Sequence, residues 1–523
     1  MSTSPSVLVV GAGPTGLTLA AELCAAGLTC HVIDKRPAAS DRSRAFGLLP
    51  RTLELLDLRG RAEPFVERGL PWAHAALGDG KGWLDYGRAD TPFPYMLVIP
   101  QHRTEEQLRR WAVERGARIR RGVELTGLRQ DAGGVSADLT TAEGTTVLHT
   151  DFVVGCDGAH STVRRLAGIR FEGSAYESSL IVADVRLAVE PDPVVYARMG
   201  RRGMVVLFPF GDGTFRLIVL DRERMAVPVD TPVTVAELRD SCRSVLGTDF
   251  GLHDPLWMSR FRSEQRLSER YRLGRVLLAG DAAHTHIPSG GQGLQTGVQD
   301  ALNLGWKLAA HLRGRCPAHV LDTYQRERRP IARATLRTTD LLYRFEVSRS
   351  PAARVVRSLS TRLMGLPLVQ SAVVDQLSGL TLRYPPLPGA VDGPVHRLVG
   401  RRLPDAALRP AGAGPGPGAG RLYELFREGT FVLLDQSAGG VCAGAAQGWA
   451  DRVTVVRGRA ERTDLAEALL VRPDGYIAWA GHGGGTGQLR HSLRYWCGPA
   501  RPGGGARAGA GARGGRPPPE AAA

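Results

Sequence analysis

The chain reads as an α/β protein built on a Rossmann-like, dinucleotide-binding parallel sheet, with a β-rich domain inserted into it and a smaller α/β domain near the C-terminal end. Three observations predict this. Residues Ser6–Val10 form a short apolar run that passes directly into GAGPTG (Gly11 to Gly16), an Ala/Leu-rich helix and a second strand, Thr29–Ile33, ending at Asp34. From Val276 to Leu308 the order is apolar strand, Gly280-Asp281, glycine loop and long helix. Between them, from Phe171 to about Tyr271, the pattern turns β-rich, with Val205–Phe210 and Phe215–Leu220 the clearest strands.

In the first unit, G-x-G-x-x-G stands at a strand-to-helix turn and an acid closes the next strand. That combination is the dinucleotide fingerprint. Gly11 makes the tight turn, Gly13 lets the backbone meet a pyrophosphate, and Gly16 permits close helix packing. Asp34, followed by Lys35, is placed to accept hydrogen bonds from adenosine ribose hydroxyls. Residues 42–58 read as a loop and helix. Arg44 is either a bidentate pyrophosphate contact or a solvated surface arginine.

From Pro71 to Pro100 the chain is aromatic (Trp72, Trp83, Tyr86, Phe93, Tyr95), which suits ordinary core or strands lining a cavity. Gln101 opens a helix that ends near Gly116. Arg118–Leu128, Val135–Thr140 and Thr146–Val154 read as strands, the last running into CDGAHSTVRR with Asp157.

The stretch VLLAGDAAHTHIPSGGQGLQTGVQDALNLGWKL carries the expected chemistry. Pro288 and the glycines Gly290, Gly291 and Gly293 precede a helix whose Leu294, Val298, Ala301, Leu302, Gly305 and Leu308 share a stripe. Such a layout aims backbone N–H groups at an anionic ligand. The chain's single asparagine, Asn303, and Lys307, one of three lysines, both lie here.

A chain of 523 residues is too long for one core. A formal charge of +15 invites a nucleic-acid partner, yet the arginines are scattered and no nucleic-acid signature accompanies them. A field that draws in anionic cofactors is the preferred reading. No apolar run is long enough to span a bilayer, and no signal-peptide organisation opens the chain, so no membrane and a cytoplasmic location are expected. The seven cysteines contain no CxxC pair and read as reduced, buried thiols. Prolines 385, 386 and 388 and the Gly/Pro/Ala segment 411–420 mark a boundary. Beyond it Thr430–Leu434, Arg452–Val456 and Tyr476–Ala480 are strands of a small α/β domain. From Gly498 the sequence is of low complexity and reads as disordered.

Together these motifs resemble the class A flavoprotein monooxygenases, the para-hydroxybenzoate hydroxylase group, and within it the aromatic polyketide hydroxylases. The resemblance rests on GAGPTG with Asp34, CDGAHSTVR with Asp157, and the stretch from Gly280 to Leu308, and covers residues 5–498. Asp34 stands where the group usually has glutamate, and Gln295 where it has asparagine. The resemblance implies an FAD-binding domain from residues 1–70, 101–170 and 271–390, and a substrate domain from 71–100 and 171–270. It further implies a thioredoxin-like domain without CxxC at 391–498 and a disordered tail at 499–523. That appendage is expected to give structural support or subunit association, a homodimer among the possibilities.

By the same resemblance Asp34 takes the adenosine ribose. Arg44 and Gln101 take the phosphate and ribityl region, and the Leu125 backbone the adenine. Asp281 holds the ribityl or pyrophosphate side. Pro288 packs near the isoalloxazine, and amides from Gly291 through Gly293 and Leu294 to Gln295 face its N1–C2=O edge. Asp157 lies near FAD and a pyridine-nucleotide path, or is simply a turn acid. With one glycine fingerprint there is no second dinucleotide domain. NADPH or NADH is then a transient reductant, and O2 reacts to a flavin C4a-hydroperoxide that hydroxylates an aromatic substrate. No metal is expected. His74, His102, His284 and His286 are conceivable bases, each as readily a packed or surface histidine, and none is singled out.

The same scaffold supports a Baeyer–Villiger insertion, and a flavin-binding protein without turnover is the rival from another class. A hydrolase is disfavoured by the lack of G-x-S-x-G and H-E-x-x-H. A halogenase is disfavoured by the lack of W-x-W-x-I-P.

Overall fold

The computed structural model describes residues 4–39, 45–77, 82–192, 196–200, 202–287, 290–348, 366–410 and 420–501, together with 350, 355, 356, 359 and 363. The expectations placed on Arg44, on Pro288 and on the chain beyond residue 501 lie outside these described residues. The predicted disordered tail is corrected at its start: the Pro499 carbonyl accepts Arg452 Nη2 at 2.9 Å and the Arg501 amide donates to the Gly448 carbonyl.

The central sheet has six strands in the order Arg272–Leu273, Val276–Leu278, Phe152–Gly155, Val7–Val10, Cys30–Asp34, Arg118–Arg121. All neighbours are parallel except the first pair. Its middle strands are buried along their length, which is why they read as unbroken apolar runs rather than alternating ones. Three adjacent parallel strands therefore end side by side, and each ends in one of the three sequence motifs. Helices Pro14–Ala25 and Gln292–Leu312 follow the outer two and pack on each other.

Two strands read as single are each split between sheets. Arg118–Leu128 divides into Arg118–Arg121 in the parallel sheet and Glu124–Gln130 in an antiparallel sheet with Val135–Thr141 and Gly144–Thr150. Thr146–Val154 divides at Asp151, the second part being the parallel strand Phe152–Gly155. In the first case Gly122, at φ +68°, makes the turn that a side chain would resist.

The β-rich insert is an antiparallel sheet in the order Tyr196–Met199, Gly203–Pro209, Thr214–Asp221, Phe171–Arg186, His253–Ser268, His284–Thr285. Helix Val235–Leu246 covers one face through Leu238, Cys242, Val245 and Leu246. The last strand belongs to the glycine-loop stretch, so the insert is stitched to the motif region by main-chain hydrogen bonds. The aromatic passage joins it too: Tyr86 and Met96 share a core with Phe208 and Phe210, and Phe46 stacks on Phe208 at 4.1 Å.

The C-terminal sheet runs Gly420–Arg421, Ala407–Pro410, Val453–Ala460, Phe431–Asp435, Ala468–Val471, Ile477–Gly481, with one parallel pair at its centre. Its core is continuous with Val298, Leu302 and Trp306 of helix Gln292–Leu312. Among the described residues, no helix is long and apolar enough to cross a membrane.

Candidate functional site: a cradle at the carboxyl edge of the sheet

The glycines of the first motif divide by what surrounds them. Gly11, at φ +107°, is jammed: a Cβ would stand 2.3 Å from the Cys156 carbonyl oxygen. Gly16 is jammed as well, 2.0 Å from the Gly11 oxygen. A Cβ on Gly13 meets nothing within 4 Å. The turn is thus closed on the protein side and open in front of Gly13, where helix Pro14–Ala25 begins without a side-chain cap. Uncapped first-turn amides over open space are donors available to an anion.

Helix Gln292–Leu312 repeats the arrangement. Gly291 is its N-cap, at φ +65°, and no side chain caps it. Thr15 sits between the two units: a Cβ on Gly280 would lie 2.5 Å from its hydroxyl oxygen, and one on Gly297 2.3 Å. Gly305 meets Glu22 in the same crossing. Two uncapped helix starts are thereby brought close together at one edge of the sheet. Asp281 is exposed beside the second start, and a Cβ on Gly293 would lie 4.0 Å from its Oδ1. Leu294 is half-buried, packed between two cores. The Gln295 side chain turns inward, where Nε2 donates to the Gly47 carbonyl at 2.9 Å and Oε1 accepts the Leu49 amide at 3.3 Å. Nε2 also reaches back to the carbonyl of the N-cap residue Gly291 at 3.5 Å.

Asp34 is buried and already engaged. It accepts the Ala12 amide at 3.0 Å, the Arg36 amide at 2.9 Å and both branches of the Arg36 guanidinium at 3.1 and 2.9 Å. Burial alone raises its pKa, yet these hydrogen bonds prevail and hold the carboxyl below its usual range. Arg36, which the sequence reading passed over, is therefore an exposed charge at this position, with Lys35 exposed beside it. Gly122 and Val123 run alongside, donating to the Arg36 and Asp34 carbonyls, and bring Leu125 near. Gln101 Oε1 accepts the Ala45 amide at 2.9 Å while its Nε2 donates to Glu105. Asp157 accepts Ser161 Oγ at 2.5 Å and the Thr162 and Val163 amides, so its carboxylate caps a short helix; burial raises it above its usual range.

Of the histidines, His74 and His102 are exposed, whereas His284 is fully buried. His284 Nε2 lies 2.7 Å from Asp300 Oδ2, which also accepts the Gly280 amide. Asp300 Oδ1 accepts Arg328 Nε at 2.6 Å. This buried set holds the Gly280 turn to the helix and was missed by the sequence reading. Its signal was available: Asp300, Asn303 and Lys307 stand at helical spacing in a helix that also carries a long apolar stripe. Among the described residues no cluster of His, Cys, Asp and Glu is arranged to hold a metal.

A family model described as FAD binding domain matches residues 4–339, and one described as aromatic-ring hydroxylase, C-terminal, matches residues 396–500. The chain belongs to the FAD-dependent aromatic-ring hydroxylases. It is 40% identical over 91% of its length to a rifampicin monooxygenase of Streptomyces venezuelae, 95% of which is covered. It is also 40% identical, over 94% of its length and 99% of the relative, to a 12-dehydrotetracycline 5-monooxygenase/anhydrotetracycline 6-monooxygenase of Streptomyces rimosus. The solved structure of an anhydrotetracycline hydroxylase from Streptomyces rimosus superposes with a TM-score of 0.84 at 39% identity, covering 95% of this chain and 99% of that one. The chain is a flavin-dependent monooxygenase, and FAD is its cofactor. The cradle fits that group: open space before Gly13 for a pyrophosphate, an exposed carboxylate at Asp281 for hydroxyls, and uncapped amides after Gly291 for an electron-rich ring edge.

Proposed function

We propose that this hydroxylase acts on a polycyclic, polyketide-type aromatic, using FAD, a reduced nicotinamide and O2. The observation that carries the reading is the pair of uncapped helix starts held together through Thr15, with Ile287 packed against Leu180, Leu220 and Tyr343 at the insert. The names of the relatives, which act on tetracycline- and rifampicin-type compounds, support the substrate class.

When bound, FAD supplies hydride acceptance and oxygen activation. Gly13 and the first turn of helix Pro14–Ala25 would hold its pyrophosphate, Asp34 with Arg36 its adenosine ribose, and the Leu125 backbone its adenine. Gln101 and Asp281 would hold the ribityl region. The amides from Gly291 to Gln295 would serve as donors to an electron-rich ring edge, and the dipole of a 21-residue helix would add to them. Met204, Val206, Ile218 and Phe261, half-buried on the insert face away from helix Val235–Leu246, present an apolar wall that excludes water and accepts fused rings.

We assign residues 1–70, 101–170 and 271–390 to FAD, 71–100 and 171–270 to substrate, and 391–498 to a thioredoxin-like appendage in a structural role. Its parallel central pair flanked by antiparallel strands supports that assignment.

The test is turnover with an anhydrotetracycline-type phenol under labelled O2. Substrate-dependent NADPH oxidation and a phenolic product carrying one labelled oxygen are expected. A lactone product would shift the assignment to Baeyer–Villiger insertion. A protein that holds FAD yet consumes no NADPH with any such phenol would sink the catalytic reading.

A further inference from the structure

His284 and His286 flank Thr285 on the segment leading from Asp281 to the glycine loop, and their rings lie almost parallel, 6.4 Å apart at 7°. Tyr271 extends the stack beyond His284, at 6.1 Å and 26°. His284 is tied to Asp300, as described. His286 Nδ1 lies 3.0 Å from the Ile287 carbonyl oxygen. A carbonyl only accepts, so Nδ1 carries the hydrogen and the neutral ring leaves Nε2 as a bare lone pair. That Nε2 is closed off from solvent and has no partner among the described residues, and the same holds for His284 Nδ1, Thr285 Oγ1 and the Tyr271 hydroxyl. Native proteins leave few buried polar atoms unmatched, so four gathered about one two-residue strand call for an explanation. The His286 ring also faces the helix start: a Cβ on Gly293 would lie 3.7 Å from its Cε1 and 3.8 Å from its Nε2.

We propose that His286 is a charge-compensating residue, its Nε2 taking up a proton when FAD bound at the start of helix Gln292–Leu312 is reduced. The inference rests on the flavin placement proposed above. The step balances simply. A reductant delivers two electrons to the flavin, which takes one proton itself, and a second solvent proton forms an N–H bond at Nε2. No bond in the protein breaks. Without the second proton, negative charge would accumulate above a neutral imidazole in a site poor in water.

The groups around His286 suit this role. Asp281 on the preceding turn favours the imidazolium. Asp300, from the helix, is already engaged by His284 and by Arg328. Arg266 and Glu264 on the neighbouring strand pair with each other beside Thr285. Burial holds His286 below the ordinary imidazole value, with the charge of His284 acting in the same direction, while the Ile287 carbonyl and Asp281 oppose them. The ring is therefore neutral before reduction and able to accept afterwards.

The test is proton uptake during anaerobic dithionite reduction of the FAD-loaded protein, followed with an indicator dye from slightly acidic to slightly alkaline pH. Wild type should take up about two protons per flavin in a window that opens below the ordinary imidazole value of about 6.5, and His286→Gln about one. Selective 15N-histidine labelling of wild type should show the His286 Nε2 signal moving from the bare to the protonated position on reduction. That readout stands even if the variant folds poorly. Uptake of about one proton by wild type at every pH overturns the proposal, as does unchanged uptake in His286→Gln. So does a reduced-flavin absorption band showing the extra proton on the ring. Wild type that carries no FAD would instead overturn the flavin placement, and the proposal with it.

Discussion

Thr15 sets the distance between the two motif helices, because its hydroxyl fills the space that a methyl on either Gly280 or Gly297 would need. Gly297→Ala should therefore cost about 1–3 kcal/mol in urea unfolding and lower the FAD retained on purification. Thr15→Ala should restore most of the loss in the double variant, since the atom nearest the new methyl would then be gone and the next, Gly280 Cα, lies at 3.4 Å. Additive costs would show that the two positions do not meet. Asp281 differs because it has no hydrogen-bond partner within the described residues and is exposed. Asp281→Ala should leave the unfolding midpoint within about 0.5 kcal/mol of wild type, yet yield a nearly colourless protein. Full flavin occupancy in that variant would remove Asp281 from the site.

Elements were legible where one period held over a whole segment. The apolar run at Val7–Val10 and the helix after Gly291 were plain, because a buried parallel strand and a fully packed helix leave no mixed signal. Elements were misjudged where two strands of different sheets follow within one or two residues, as at Gly122–Val123 and Asp151, since propensity carries no record of which sheet a strand joins. Pairing partners far away in sequence decide that. The candidate site divides in the same way. Glycine roles could be read from spacing, whereas the Arg36–Asp34 pairing and the inward turn of Gln295 depend on atoms brought together by folding. Gln295 ties the helix start to Gly47 and Leu49, so shortening it by one methylene should break both contacts. Gln295→Asn is expected to lower stability by about 1–2 kcal/mol while flavin affinity changes less than threefold, because its side chain is turned to Gly47 and Leu49 and the contacts proposed toward the flavin are main-chain. A large loss of FAD with unchanged stability would place that side chain at the cofactor instead.

At the scale of the whole molecule, helix Gln292–Leu312 joins the flavin cradle to the C-terminal sheet through buried charge. Lys307 donates to Asn303 at 2.8 Å and to Glu327 at 2.6 Å, and Asn303 donates onward to Glu327 and Asp474. Arg472 binds both Glu327 and Asp474 and lies against the rings of Trp306, Tyr384 and Trp496. Arg59 reaches across as well, from Glu22 to the carbonyls of Phe426 and Pro473. The appendage is therefore built into the flavin body. Arg472→Met would leave two buried carboxylates short of charge and should cost about 3–5 kcal/mol. Lys307→Met leaves Glu327 still paired with Arg472 and should be far milder at neutral pH. The two lysine states differ again at high pH. Burial pushes Lys307 down to about 8, while an unfolded lysine titrates near 10.4, so above about 8 the unfolded chain holds more protons and folding gains stability as pH rises. Glu327, held down to about 2, acts at the other end: its contribution is complete above the ordinary carboxylate range and is lost as pH falls through that value. Buried tyrosines and cysteines, raised by desolvation, oppose the lysine at alkaline pH, so the informative quantity is a difference between two proteins. Urea midpoints measured for wild type and Lys307→Met from pH 7 to 10 should converge or cross in favour of wild type as pH climbs past about 8. Parallel curves would mean that Lys307 keeps its proton throughout, with Glu327 holding it in place more strongly than burial drives it off.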